Sequence, residues 1–132
     1  IPVKTGRGLV YHSKVTLVHC TVVNNGGYGL YGGLPSVTGS IIFGNKEGQI
    51  LCDGGQVQYS DVQDGWPGVG NIAADPCFAD PDYHLSAGSL CIDAGDPELP
   101  ALAGPFDIDG QQRVVGGRID IGMDEVAMPA DQ

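Results

Sequence analysis

The stretch that decides the fold is a short β-type run that occurs three times, as Cys20-Thr21-Val22, Ser40-Ile41-Ile42 and Ser60-Asp61-Val62. The first residues of the three runs are 20 positions apart, and each run leads into a turn rich in Asn, Asp or Gly. Each copy also has two earlier runs: Gly8-Leu9-Val10-Tyr11, Gly29-Leu30-Tyr31-Gly32 and Gln49-Ile50-Leu51-Cys52 at its start, and Val15-Thr16, Val37-Thr38 and Val57-Gln58 in its middle. A period of 20 to 22 residues made of short strands and tight turns is typical of stacked coils. We therefore predict three stacked coils over residues 1–65.

Alternation along the repeated run predicts which side chains point into the coils. If Cys20 and Val22 and their counterparts point inward, then Asp61 and Gln63 point outward. The opposite choice would bury Asp61 and Gln63 without partners, which costs roughly several kcal/mol. The favoured choice leaves an apolar patch on the outside: Val23, Ile41 and Phe43. Either the rest of the chain or a second subunit must cover this patch.

The composition favours turns over long helices. The 132 residues include 22 Gly and 9 Pro, and no apolar run is long enough to span a membrane. A chain of this length forms a single domain. Residues 66–132, here called the tail, lack the period but contain apolar residues throughout, so we predict an acidic, loop-rich cap packed on the coils. The opening Ile1-Pro2-Val3, with neither an initiator Met nor a signal-type run, is interpreted as a mature product or an excised C-terminal piece.

Negative charge is concentrated in the tail. Residues 1–65 carry as many cationic as acidic side chains, whereas the tail has only Arg113 and Arg118 among its many carboxylates, so the net charge of −10 lies there. Such a surface repels phosphate backbones, which argues against nucleic acid as a partner. It attracts cations, or it serves solubility alone.

A series of motifs follows the third coil. In order they are Tyr59-Ser60-Asp61-Val62-Gln63-Asp64-Gly65-Trp66-Pro67-Gly68, Gly70-Asn71-Ile72, Ala74-Asp75-Pro76, Tyr83-His84-Leu85, Ser89-Leu90-Cys91-Ile92-Asp93-Ala94-Gly95-Asp96, Asp107-Ile108-Asp109-Gly110 and Asp120-Ile121-Gly122. This series resembles the C-terminal end of secreted bacterial right-handed parallel β-helix repeat proteins of the pectin-lyase-like superfamily.

That resemblance implies an all-β fold, a short right-handed parallel β-helix of about three coils with a loop-rich C-terminal cap. It also implies a secreted or cell-surface location and carbohydrate as the partner. It supplies no catalytic set, because the aspartates of polygalacturonase-like members and the calcium and basic residue of lyase members do not match this sequence residue by residue.

The best acid/base candidates are Asp61 and Asp64, with Asp53 in the same coil. Asp61 is predicted to face outward and Asp64 follows in the turn, so their carboxyls fall in the range that glycoside hydrolysis by paired carboxylates requires. The alternative is two exposed acids, with Asp64 occupying the turn position that Asn has elsewhere. In the enzyme interpretation His19, Tyr59 and Trp66 supply a second proton carrier or a surface for sugar stacking. The alternative for His19 is a surface histidine with no functional role, which is the more common case.

Calcium is the only cofactor that the sequence suggests. Asp107 and Asp109, together with Asp120 or Asp124, provide carboxylates, although neither register around Asp107 fits an EF-hand. The alternative, which the sequence supports equally, is that Asp107 and Asp109 form ion pairs with Arg113 and Arg118.

Two further expectations concern contacts. Cys77 and Cys91 are the better candidates for a disulfide, because both lie in the loop-rich tail. The upper edge of the first coil exposes backbone groups and apolar side chains, so we expect a homo-oligomer through that edge or through the Ile41/Phe43 face.

Two functions follow from these observations. The first is a carbohydrate-active enzyme, a glycoside hydrolase acting through Asp61 with Asp64 or Asp53. The alternative is a non-catalytic extracellular β-helix module that binds glycan or caps a larger protein. A fold does not decide between them, because function depends on the site.

Overall fold

Short strands and turns make up the described part of this chain. The computed structural model describes residues 2–3, 9–10, 14–52, 54–80, 83–92, 94–95 and 120–122. These residues form ten strands: β1 (Pro2–Val3), β2 (Leu9–Val10), β3 (Lys14–Val18), β4 (Thr21–Val23), β5 (Tyr28–Gly32), β6 (Leu34–Thr38), β7 (Ile41–Phe43), β8 (Gly48–Cys52), β9 (Gln56–Gln58) and β10 (Asp61–Val62). Within the described residues there is no helix.

The strands form three parallel sheets. Each of the three coils contributes one strand to each sheet, and β1 adds a fourth strand to sheet A. Sheet A has the order β1-β4-β7-β10, sheet B has β2-β5-β8, and sheet C has β3-β6-β9. All of these pairings are parallel. The prediction of an all-β chain of stacked coils is confirmed at this level, and the arrangement is consistent with a parallel β-helix.

The predicted register holds in two sheets and is wrong in the third. Thr21 pairs with Ile41 and Ile41 with Asp61, and Leu9 aligns with Leu30 and Ile50. In sheet C, however, it is Leu17 that aligns with Val37 and Val57, whereas Val15 pairs with Pro35. Val15 and Leu17 share one strand face, so the period alone could not choose between them.

A ladder of side-chain hydrogen bonds joins the coils at the corner between sheets C and A. The backbone N–H of Cys20 donates to Oγ of Ser40 at 3.1 Å, and the N–H of Ser40 donates to Oγ of Ser60 at 3.1 Å. The N–H of Ser60 then donates to Oδ1 of Asn71 at 3.0 Å. These buried backbone groups would otherwise lack partners at the corner, so the ladder fixes the height of each coil on the next.

Asn71 is the fourth and last rung of this ladder, and it comes after a shorter stretch of sequence than the other rungs. It follows Ser60 by 11 residues, and its Nδ2 donates to the carbonyls of Val57 at 2.9 Å and Trp66 at 3.0 Å. Ile72 bridges in parallel to Asp61, which extends sheet A by one position. A single amide side chain therefore closes the lower end of the corner.

Turn residues with left-handed backbone make the same corner compact. His19, Gly39 and Tyr59 occupy equivalent positions with φ of 51°, 62° and 48°. The ring of His19 lies against Gly39 and the ring of Tyr59 against Gly70, where a Cβ atom would collide with the ring. Ring and glycine thus alternate down the stack, because two rings could not occupy successive coils.

Apolar side chains form two separate cores. The interior core lies inside the coils and is built from Leu17, Cys20, Val22, Leu30, Val37, Ile42, Ile50, Val57 and Val62. The outer core lies between sheet A and the tail and is built from Val23, Ile41, Leu85, Cys91 and Ile121, with Phe43 packed against it. The predicted facing of the repeated run is therefore confirmed.

The tail covers the apolar patch on the outside of sheet A. Ile41 is 1 % exposed, and it packs with Leu85, Cys91 and Ile121. The Ile41/Phe43 face is consequently occupied by the chain itself and does not offer a second subunit the surface that was expected. Association through the upper edge of the first coil stays a prediction.

We expect Ser40→Ala to lower the free energy of unfolding by about 1–3 kcal/mol, because it leaves the buried N–H of Cys20 without its acceptor. Ser36→Ala is the matched control, since Ser36 is exposed on the neighbouring strand, and it should change stability by less than about 0.5 kcal/mol. Urea unfolding of both variants measures the difference. Equal shifts would show that the ladder does not stabilise the stack.

Candidate functional site

Asp61 lies on the outer face of sheet A, as the alternation predicts, but it is not on the surface. Its exposed fraction is 0 %, because the tail passes over it. The prediction that Asp61 is an exposed carboxylate is therefore wrong. The alternation specified the side of the strand but carried no information about what covers that side.

Two groups from the tail bind the Asp61 carboxylate. The backbone N–H of Ala74 donates to Oδ1 at 3.0 Å, and the Cys91 thiol donates to Oδ2 at 3.2 Å. The pKa of Asp61 is raised from 3.8 to about 6, chiefly by burial; the hydrogen bonds from Cys91 and Ala74 partly oppose the rise, and the nearby Asp75 carboxylate adds to it. Asp61 consequently gains a proton more readily than an exposed aspartate.

Cys91 is buried and forms no disulfide. All four cysteines are free, and Cys91 is 0 % exposed whereas Cys77 is exposed. Burial raises the pKa of the Cys91 thiol strongly, and the Asp61 carboxylate raises it further, so the thiol stays protonated and continues to donate. The predicted Cys77–Cys91 bridge is therefore wrong, because Cys91 turns toward Asp61 under the tail.

The second carboxylate of the predicted pair is in a different environment. Asp64 is exposed in the turn after β10, with φ of 68°. It occupies the position of Asn24 and Gly44, whose φ values are 57° and 70°. The third candidate, Asp53, lies outside the described residues. Asp61 and Asp64 thus do not share a common open surface, and their catalytic role stays a prediction.

The three predicted substrate-binding residues occupy different places. His19 is buried at 5 % exposure, and its Nδ1 lies 3.0 Å from the carbonyl oxygen of Asp120, which can only accept a hydrogen bond. Tyr59 is half-buried against Gly70, and Trp66 is half-buried against the interior core. The outward, exposed position that was predicted for His19 is wrong, since the tail reaches this corner.

The predicted calcium ligands are only partly described. Asp107 and Asp109 lie outside the described residues, and Asp120 is 0 % exposed beside His19. Within the ranges that the structure describes, no three His, Cys, Asp or Glu side chains are grouped so that they could hold a metal ion. Calcium binding stays a prediction.

Sequence reasoning missed the groups that meet Asp61 and Ser60. Asn71 escaped notice because it follows Ser60 by 11 residues instead of the expected 20, although Gly70-Asn71-Ile72 repeats the pattern of Gly39-Ser40-Ile41. Cys91 gave no signal, since nothing in a non-periodic segment tells which side chain will reach a distant carboxylate.

No protein-family model matches the chain, and no curated protein sequence or solved structure is significantly similar to it. In the part of the chain that is described, no segment forms an apolar helix of the length that crosses a bilayer.

We expect the stability of the wild type to fall as pH rises from about 4 to about 6, because the folded state keeps the Asp61 proton at pH values where the unfolded state has lost it. With a folded pKa of about 6 against 3.8, this effect amounts to up to about 3 kcal/mol at neutral pH. Asp61→Asn keeps the shape and an acceptor for Ala74 but cannot ionise, so it should lack this loss.

Urea unfolding of the wild type, Asp61→Asn and the exposed-site control Asp64→Asn at pH 4.5 and 7.5 measures the effect. Because other carboxylates also titrate, the informative quantity is the difference between variants at each pH. A wild type and an Asp61→Asn variant that change in parallel would contradict the prediction.

Proposed function

We propose that this chain is the non-catalytic terminal module of an extracellular, right-handed parallel β-helix, and that its tail caps the stack of coils. The right-handed sense of the coil is supported by the general rule that parallel strands of one sheet are joined by right-handed crossovers. The connection from β4 to β7, which passes through β5 of sheet B and β6 of sheet C, joins two such strands. The extracellular setting rests on the resemblance to secreted β-helix proteins.

The fourth rung is the observation that carries the capping proposal. Asn71 accepts the last N–H of the ladder and donates to the carbonyls of Val57 and Trp66, so its side chain bonds three backbone groups at the end of the corner. Below the interior core lies Trp66, which packs against it. A repeat stack needs a terminal element that satisfies backbone groups and covers apolar side chains, and these residues provide both.

The position of Asp61 favours capping over glycoside hydrolysis. A general acid or nucleophile must come within hydrogen-bond reach of the sugar, and Asp61 is covered by the tail and already bonded to Ala74 and Cys91. Asp64 is exposed, but it lacks an exposed Asp61 as its partner. Hence the paired carboxylates that retaining or inverting hydrolysis requires are not supported at this place.

The upper edge is the surface that would receive further coils. In the described residues β1, β2 and β3 are each paired on one side only, and Val15 packs half-buried at the upper end of the interior core. Another β-helical coil, from a longer chain or from a second copy, fits such an edge because it supplies both backbone pairing and an apolar surface.

We expect no hydrolysis of a panel of aryl-glycosides above the uncatalysed rate, because the reacting carboxylate of the predicted pair is inaccessible. The panel is run with the wild type, Asp61→Asn and Asp64→Asn. Turnover that both substitutions abolish would reject the capping proposal and support the glycoside hydrolase instead.

We expect association through the upper edge at micromolar concentration, seen by light scattering as a mass above the 13.7 kDa of one chain. Val15→Lys should reduce that mass, because it places a charge at the upper end of the apolar interior. Thr16→Lys, on the exposed face of the same strand, is the matched control and should leave association unchanged. A monomeric wild type would count against this edge as a docking surface.

A further inference from the structure

The outer core depends entirely on contacts between the coils and the tail. We call the described residues 74–80 and 83–92 the tail cover. Leu85 and Cys91 of the tail cover pack on Val23 and Ile41 of sheet A. The interior core, in contrast, consists of residues of the coils, with Trp66 packed against them. The two cores share no member, so loss of the contacts between the tail cover and sheet A would remove no residue from the interior core.

Asp61 is an ionisable side chain of the coils, and it binds the tail cover directly. Its two carboxylate oxygens accept one hydrogen bond from each end of the tail cover, from Ala74 at 3.0 Å and from Cys91 at 3.2 Å. The Cys91 carbonyl in turn accepts the N–H of Ile121 at 2.9 Å. The contact at Asp61 therefore lies where two parts of the tail meet the sheet.

The groups that face Asp61 do not neutralise its charge. The Cys91 thiol stays protonated and uncharged, the Asp75 carboxylate has the same sign as Asp61, and Asp120 adds a further acid next to Cys91. Ser89 and the backbone N–H of Ala74 are neutral, and the lysines of the described coils, Lys14 and Lys46, are exposed. Among the residues that the structure describes, an ionised Asp61 is thus a buried charge whose hydrogen bonds come from neutral groups, which is costly in a closed site.

We propose that the tail cover is a closure over sheet A that opens independently of the coils, and that protonation of Asp61 holds it shut. Opening returns Asp61 to water, where the ionised form is well solvated, and it exposes the apolar side chains of Val23 and Ile41. The closure is tight in mildly acidic solution and loosens toward neutral pH. This device is separate from the capping function, which depends on Trp66 and Asn71.

The size of the effect follows from linkage. A closed-state pKa of about 6 against 3.8 when Asp61 is exposed raises the opening equilibrium by up to about 10-fold per pH unit between these values. Above pH 6 the equilibrium is constant again, so the total increase is on the order of 100-fold.

The cysteines provide reporters at three depths. Cys91 lies on the side of the tail cover that packs on sheet A, at 0 % exposure, Cys20 lies inside the coils at 5 %, and Cys77 is exposed. Labelling with a dipyridyl disulfide, which reacts with thiols down to pH 4, is followed by peptide mass spectrometry. Dividing the Cys91 rate by the Cys77 rate removes the intrinsic pH dependence of the reagent and gives the opening equilibrium of the closure.

We expect the Cys91/Cys77 ratio to rise on the order of 100-fold from pH 4 to pH 7. Cys91 should also react at least about 10-fold faster than Cys20 at each pH, because the closure opens more often than the whole protein unfolds. Asp61→Asn should make the ratio independent of pH, and Asp64→Asn, which removes an exposed acid three residues away, should keep the wild-type profile.

Two results would overturn the proposal. If Cys91 and Cys20 react at the same rate, the tail cover opens only when the coils unfold, and it is not an independent closure. If the ratio of the wild type does not change with pH, or if Asp61→Asn retains the change, Asp61 does not control opening. Protection of Cys20 in each variant shows that its coils are folded.

Discussion

The fold depends on backbone groups at one corner finding partners in the next coil. Where the chain leaves sheet C and enters sheet A, the regular pairing of strands is interrupted, and a buried N–H at that point would be costly. The hydroxyls of Ser40 and Ser60 and the amide of Asn71 supply the missing acceptors. Because each acceptor comes from the coil below, the same bonds that satisfy the corner also set the vertical register of the stack. A related ladder runs at the next corner, where the N–H of Asn25 donates to Asn45 and the N–H of Asn45 donates to Gln49.

Stacking explains the coils, but the outer face of sheet A required a second solution. Val23 and Ile41 are apolar on a face that the coils alone would leave in water, and Asp61 stands on the same face one coil further down. The tail covers all three. The apolar pair gains by burial, whereas the carboxylate loses solvation and shifts its pKa to about 6. One packing event therefore stabilises the protein and raises the pKa of Asp61, which is why a perturbed carboxylate here is not by itself evidence of catalysis.

Prediction from sequence succeeded where a pattern repeats. The 20-residue spacing of Cys20, Ser40 and Ser60 and the inward facing of Val22 and Ile42 both follow from it. It failed at Val15, where two inward residues of one strand fit the period equally well, and at Asn71, where the coil is shortened. It failed more fully at Cys91, because a hydrogen bond between residues 30 positions apart in a non-periodic segment leaves no trace in local order.

The sequence by itself determined the parallel coils, their register in two sheets and the side of the strand on which Asp61 stands, because these features depend on spacing and alternation within a few residues. The tertiary structure alone decided that Asp61 is buried, that Cys91 donates to Asp61 instead of forming a disulfide with Cys77, and that the Ile41 face is covered. Exposure and pKa depend on whatever packs against a surface. Here that is set by where residues 74–80, 83–92 and 120–122 of the tail pack on sheet A, which no local pattern encodes.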